Sequence, residues 1–158
     1  MLKYHKTTEE EKRLICEWKY DGEYAIYNSL PYDEQVRKHR GFANPRNNFY
    51  SFCDDAKLIG YINLIEEETE VFYGIGIDPA YCGRGFGQMI TKAACALSHE
   101  LYPGKPLYLE VRTWNTRAVR CYEKSGFHIV GDPIEQTTPI GKGTFFHMVA
   151  EASTLFMY

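Results

Sequence analysis

Residues Tyr81–Gln88, YCGRGFGQ, place three glycines at alternate positions with an arginine among them, between an apolar run and an amphipathic one. Glycine at a helix start costs backbone entropy, so the stretch needs unusual dihedrals or a close approach to its main chain. A strand, a glycine-rich turn and a helix together make an anion site. The first-turn N–H groups have no intrahelical partner, and the helix dipole is positive there. The glycines Gly83, Gly85 and Gly87 let a phosphate reach those N–H groups, and Arg84 adds charge. The plain alternative is a tight strand-to-helix connection, but three alternate glycines exceed what a connection requires. Two common phosphate loops do not fit. Counting GxGxxG from Gly83 and Gly85 puts Gln88 in the third glycine's place, and in Gly141–Thr144 glycine follows Lys142 where a Walker A loop needs Ser or Thr.

The elements that must hold this loop can be read along the chain. TTEEEKRLICEWKY offers Thr7 or Thr8 as an N-cap, each with a glutamate three residues on, and Leu14, Ile15 and Trp18 follow at helical spacing. Residues 21–41 read as a broken pair of short, tyrosine-rich helices interrupted near Pro31. Residues 47–79 read as three strands, linked by an Asp54-Asp55 turn and by the acidic stretch Glu66 to Glu70. Gly74 and Gly76 weaken the third strand and suggest a bulge or a backbone lying close. Beyond the loop, Phe86, Ile90, Ala93, Ala94 and Leu97 form one apolar helix stripe. KPLYLEVR is a buried strand. NTRAVRCYEKSGF is a short helix that Asn115 can cap and Gly126 can stop. HIVGD and GTFFHMVAE close the chain as strands separated by a loop containing TTPIGKG. The order α, α, βββ, α, β, α, ββ predicts an α/β (α+β) fold, a single domain over residues 1–158 with one core.

Two of these stretches resemble motifs of the GNAT superfamily of N-acetyltransferases. The first, [QR]-x-x-G-x-[GA] between a strand and a helix, falls on Cys82-Gly83-Arg84-Gly85-Phe86-Gly87. The second falls on Asn115, Ala118, Tyr122 and Gly126-Phe127, with LEVRTWN just before it. Together they cover residues 71–127, in the right order and with the right elements between them. One departure stands out. Cys82 replaces the usual Gln or Arg, which removes a polar side chain from the pyrophosphate and implies weaker coenzyme binding.

The resemblance implies a mixed, mostly antiparallel sheet flanked by helices and splayed between its two central strands. It implies acetyl-CoA as cofactor, with the pyrophosphate on residues 83–88 (Gly83, Arg84, Gly85, Phe86, Gly87, Gln88) and contacts from Cys82, Asn115 and Ala118. The pantetheine arm would bond like an extra strand to main chain near Ile75 and Ile77, giving Gly74 and Gly76 a purpose. Tyr122 would protonate the leaving thiolate as the C–S bond breaks. The acetyl group would pass to a primary amine by direct attack, with no acyl-enzyme. An amine near pKa 10.4 must lose a proton first, and the base candidates are Glu70, Glu110, Tyr73, Tyr24, Tyr27 and Glu23. Trp18, the tyrosines and Trp114 would shape the acceptor pocket. The acceptor is a small-molecule amine or a peptide N-terminus. The rival reading is a non-catalytic CoA-binding or regulatory module, and a third is a nucleotide-binding switch.

Composition narrows the rest. The chain of 158 residues carries 44% hydrophobic and 25% charged residues, the balance of a globular domain. A formal net charge of −3 argues against a nucleic-acid partner bound through bulk charge. Five scattered cysteines show no CxxC pair, and no His/Cys cluster has zinc spacing, so neither a disulfide framework nor a metal is expected. His99, His128 and His147 read as structural or exposed. The charged start lacks the apolar core of a signal peptide, and no run approaches a membrane span. The expectation is a reduced, cytoplasmic protein, monomer or homodimer, with no membrane partner.

Overall fold

The computed structural model describes residues 1–152. The chain forms two compact units, Met1–Ile65 with Ile75–Phe86, and Glu66–Gly74 with Gly87 onward. The backbone passes between them three times, so neither unit is a single stretch of sequence. Among the described residues, no helix is long and apolar enough to cross a membrane.

The first unit opens with strand β1 (Leu2–Lys6), which the sequence pattern did not reveal. Its residues are almost all exposed, so no apolar alternation marks it; its hydrogen bonds come from antiparallel pairing with β2 (Phe49–Asp54), Leu2 opposite Asp54 and Lys6 opposite Tyr50. Helix α1 (Glu9–Cys16) starts on a complete capping box. The Thr8 side chain accepts from Glu11 N, and the Glu11 carboxylate accepts from Thr8 N. The broken helix pair is present as a 3-10 turn over Gly22–Tyr27 and α2 (Tyr32–Lys38), with Pro31 at the N-cap position of α2. β2 ends at Asp54 and turns through Asp55 and Ala56 into β3 (Lys57–Glu66), with a bulge between Phe52 and Cys53. The core of this unit gathers Ile15, Cys16 and Phe42, with Trp18, Tyr32, Phe49, Leu58 and Tyr61 packed against them.

Strand β4 (Val71–Ile77) begins in the second unit and ends in the first. It runs parallel to β5 (Leu107–Arg112), pairing Val71 with Leu107 and Phe72 with Tyr108. In the same unit, α3 (Phe86–Leu101) leads toward β5, and α4 (Thr116–Lys124) follows it. β5 is antiparallel to β8 (Gly141–Ala150). β8 also pairs antiparallel with β6 (His128–Ile129) and with β7 (Ile134–Thr138). β7 was expected as loop. It is a polar, largely exposed hairpin arm, IEQTT, whose order comes from its ladder with β8. The result is the expected mixed α/β architecture with mostly antiparallel strand pairing and flanking helices.

Candidate functional site

The glycine loop keeps its shape through its neighbours. At the end of β4, Asp78 N donates to Ile59 O at 2.9 Å, and Asp78 Oδ1 accepts from Ala80 N at 2.9 Å. That cap starts a 3-10 turn, Pro79–Tyr81, which delivers the chain to Cys82. Gly83 and Gly85 then adopt φ of +76° and +85°. A Cβ at either would meet nothing within 4 Å, so the dihedral, not crowding, selects glycine there. Arg84 is exposed between them, its guanidinium 5.3 Å from the Tyr81 ring and 5.7 Å from the Phe86 ring. Helix α3 begins at Phe86, so the N–H groups of its first turn have no intrahelical acceptor. Gly87 has a different reason. A Cβ there would lie 3.2 Å from Cys121 Sγ on α4.

Upstream, Tyr20 Oη donates to Ile77 O at 2.6 Å, and Cys82 Sγ makes a weak 3.8 Å contact to the same oxygen. The carbonyl of Ile77 is therefore already engaged, and Ile75 is half-buried in the same strand. At Gly76 the missing side chain makes room for an aromatic ring. A Cβ there would lie 2.7 Å from Cζ and 2.8 Å from the hydroxyl oxygen of Tyr61.

The acceptor-side candidates fall into two groups. Trp18 packs on Tyr61 at 6.1 Å between ring centroids and is part of a core wall. Tyr24 is half-buried and Tyr27 exposed in the Gly22–Tyr27 turn, with Glu23 exposed beside them. Next to them, within the first unit, lies a cavity of about 220 Å³ lined by Leu30, Gln35, Arg40, Phe42, Phe49 and Tyr61. Gln35 is its pivot. Its amide donates to Leu30 O at 2.8 Å, while its carbonyl oxygen accepts from Phe42 N at 2.9 Å. This pocket has no signature in the sequence, because a lone glutamine in a short helix gives no signal until the chain folds back over it.

In the second unit, Asn115 is buried and its Oδ1 accepts from Ala118 N at 3.2 Å, capping α4. One turn beyond Ala118, Tyr122 sits half-buried with its ring edge-on to Phe127 at 6.0 Å. Tyr73 is on the other side of that phenylalanine, also at 6.0 Å, and is 1% exposed. Its hydroxyl is within 2.9 Å of Thr91 Oγ1, and burial raises its pKa well above the ordinary tyrosine value. Tyr73 is thus a core phenol, held away from solvent. Glu70 is half-buried just before β4. Along β5, Leu107, Leu109 and Val111 are buried, so Tyr108, Glu110 and Arg112 lie on the opposite face. Glu110 is exposed and accepts from the Gln136 amide of β7. Beside it, Tyr108 donates to Glu67 at 2.8 Å and stacks on His147 at 5.2 Å. Burial, then Glu67, pushes the Tyr108 hydroxyl up. Arg112 is buried, stacked over Phe145 at 4.8 Å. His99 is half-buried, with burial lowering its pKa, and His128 is exposed 3.7 Å from Glu151.

Comparison with known proteins gives the frame for this geometry. The sequence model described as "Acetyltransferase (GNAT) family" matches residues 11–127. An N-alpha-acetyltransferase RimI of Mycobacterium tuberculosis is 34% identical over 99 residues, 59% of this chain and 60% of the relative. The chain therefore spans less than two thirds of that relative's length. A spermidine N(1)-acetyltransferase of Vibrio cholerae is 25% identical over 138 residues, covering 85% of this chain and 78% of the relative. The crystal structure of spermidine N-acetyltransferase from Vibrio cholerae in complex with CoA and spermine has the same fold. Its TM-score is 0.72 at 22% identity, over 96% of this chain and 95% of that one.

Proposed function

The chain belongs to the Acetyltransferase (GNAT) family, and from that premise we propose that residues 1–158 act as one domain moving an acetyl group from acetyl-CoA to a primary amine. The observation that carries the reading is the loop at the start of α3. Two left-handed glycines, Gly83 and Gly85, flank an exposed Arg84 immediately before a 16-residue helix. Main-chain N–H groups, a positive helix end and a guanidinium are what a diphosphate requires. Residues 83–88 are assigned to that diphosphate, with Cys82, Asn115 and Ala118 as further coenzyme contacts. The pantetheine arm is assigned to the main chain near Ile75 and Ile77.

Three chemical tasks remain: placing the thioester, freeing the amine of a proton and protonating the leaving thiolate. Tyr122 is assigned the last, since a half-buried phenol on α4 can give its proton to sulfur and recover it from solvent. Among the base candidates, Glu110 is the best supported. It is an exposed carboxylate fixed by one side-chain donor, whereas Tyr73 is sealed in the core. The acceptor is a small-molecule amine or a peptide N-terminus, the two classes named by the relatives. Its contacts are assigned to Trp18, Tyr24, Tyr27 and Glu70. Cys82 favours a second reading, a CoA-binding module without turnover, because the family's polar side chain is absent there.

Turnover of acetyl-CoA against polyamines, amino acids and peptides tests the proposal. Thiol release that depends on an amine supports it. CoA binding with no turnover across the panel favours the module, and a thermal shift with ATP or GTP but none with CoA favours a nucleotide switch.

A further inference from the structure

On the first unit, away from the glycine loop in sequence, three different metal-ligating side chains converge. His5 is on β1, Glu11 on α1 and Cys53 on β2, and their ligating atoms all lie within 4.8 Å of one another. The ladder explains part of this. His5 pairs with Ser51 and Lys3 with Cys53, so His5 and Cys53 are diagonal neighbours on one face of the β1–β2 pair. The capping box of α1 supplies the rest by fixing where Glu11 points.

We propose that His5 Nε2, Glu11 Oε2 and Cys53 Sγ form a binding site for a zinc-class divalent ion that staples β1, β2 and α1 together. Three features support it. An imidazole, a carboxylate and a thiolate are a ligand set suited to zinc rather than to magnesium or calcium. The carboxylate is already oriented: Thr8 N and Ser51 Oγ each donate to Oε1 at 2.9 Å, and His5 Nε2 lies 2.9 Å from both Oε1 and Oε2, so Oε2 is the oxygen without those two donors. Such supporting bonds are what hold ligating carboxylates in metal sites. The required movements are also small. His5 Nε2 is 2.9 Å from Oε2, and two ligands of a tetrahedral zinc stand roughly 3.3 Å apart, so the exposed imidazole needs to retreat by only a few tenths of an ångström. Cys53 is half-buried with its sulfur within 4.8 Å of both other ligand atoms, and is the ligand that closes the remaining gap on binding. Binding expels the thiol proton and any proton shared by His5 and Glu11 to solvent. Three protein ligands leave a fourth position for water.

The test uses the purified full chain under reducing conditions. One equivalent of Co²⁺ should give a thiolate-to-metal charge-transfer band, and Zn²⁺ should abolish it. Zinc affinity, measured by competition with a chromophoric chelator, should fall at least about tenfold in Cys53→Ser and in His5→Gln. Cys95→Ser and His128→Gln should leave both readouts unchanged. Absence of the band, or a band and affinity that survive Cys53→Ser, overturns the proposal. Should Cys53→Ser fail to fold, His5→Gln decides, since His5 is an exposed edge-strand residue; unchanged zinc affinity in that variant overturns the site.

Discussion

The ring of Tyr61 on β3 fills the space that a side chain at Gly76 of β4 would occupy, its hydroxyl oxygen 2.8 Å from an ideal Cβ. Tyr61 in turn packs on Trp18, Phe42 and Phe49, and burial pushes its hydroxyl pKa up to about 12. A ring wedged among three others cannot move aside cheaply. Gly76→Ala should therefore destabilise the protein by about 1–3 kcal/mol through overpacking. Urea melts check this, and the same substitution in a Tyr61→Ala background should cost clearly less, since contacting residues are not additive. Equal losses in both backgrounds would separate Gly76 from Tyr61.

Ser98 makes the opposite case. Its Oγ is buried in α3 and has no hydrogen-bond partner among the described residues, while its backbone oxygen accepts from Tyr102 N. A buried hydroxyl without a partner costs about 1–3 kcal/mol of desolvation, and alanine is the better helix former. Ser98→Ala should raise stability by about 1 kcal/mol in urea melts, with acetyl-CoA turnover unchanged. A loss of stability would mean that the hydroxyl is bonded in solution.

Much of this was legible because the relevant signals are local. Thr8 with Glu11, Pro31 and Asn115 each act within four residues, and each is where the pattern places it; the β2–β3 turn lies one residue further on than expected, at Asp55 and Ala56. The helix stripe of α3 was partly legible, since the buried face holds Ile90, Ala94 and Leu97 but also the polar Thr91 and Ser98. Edge strands were not. β1 and β7 are mostly exposed, so no alternation betrays them, and their order comes from partners 44 and more residues away or across a tight hairpin. At Gly76 the sequence shows the missing side chain but not the Tyr61 ring that takes its place. Tyr73 stands among the base candidates for the same reason: its neighbours in sequence give no hint of Thr91 or Phe127. The His5, Glu11 and Cys53 cluster is invisible as spacing, because it is made by a strand register and a helix cap.

The loop glycines are sensitive to dihedral rather than to volume. At φ of +85°, Gly85 occupies a region that costs an L-residue about 1–2 kcal/mol. If the loop cradles a diphosphate, Gly85→Ala must either hold the strained conformation or reshape the N–H array. Calorimetry should show CoA binding weakened about tenfold, since about 1.4 kcal/mol is a factor of ten. A thermal melt should fall by only a few degrees, because nothing lies within 4 Å of the added carbon. Undiminished CoA affinity would remove the loop from the coenzyme site.

Tyr122→Phe removes one oxygen and keeps the ring against Phe127, so the packing of α4 survives. If the phenol protonates the thiolate, kcat should fall at least about tenfold while the Kd for CoA stays within about twofold. That split matters more than the size of the loss. A merely structural tyrosine would lower stability and affect binding and turnover together, whereas an acid acts on the chemical step alone. Steady-state kinetics with saturating amine, paired with CoA calorimetry on the same preparation, separates the two. Turnover equal to that of the unsubstituted chain would take Tyr122 out of the mechanism and leave the leaving thiolate to be protonated by solvent.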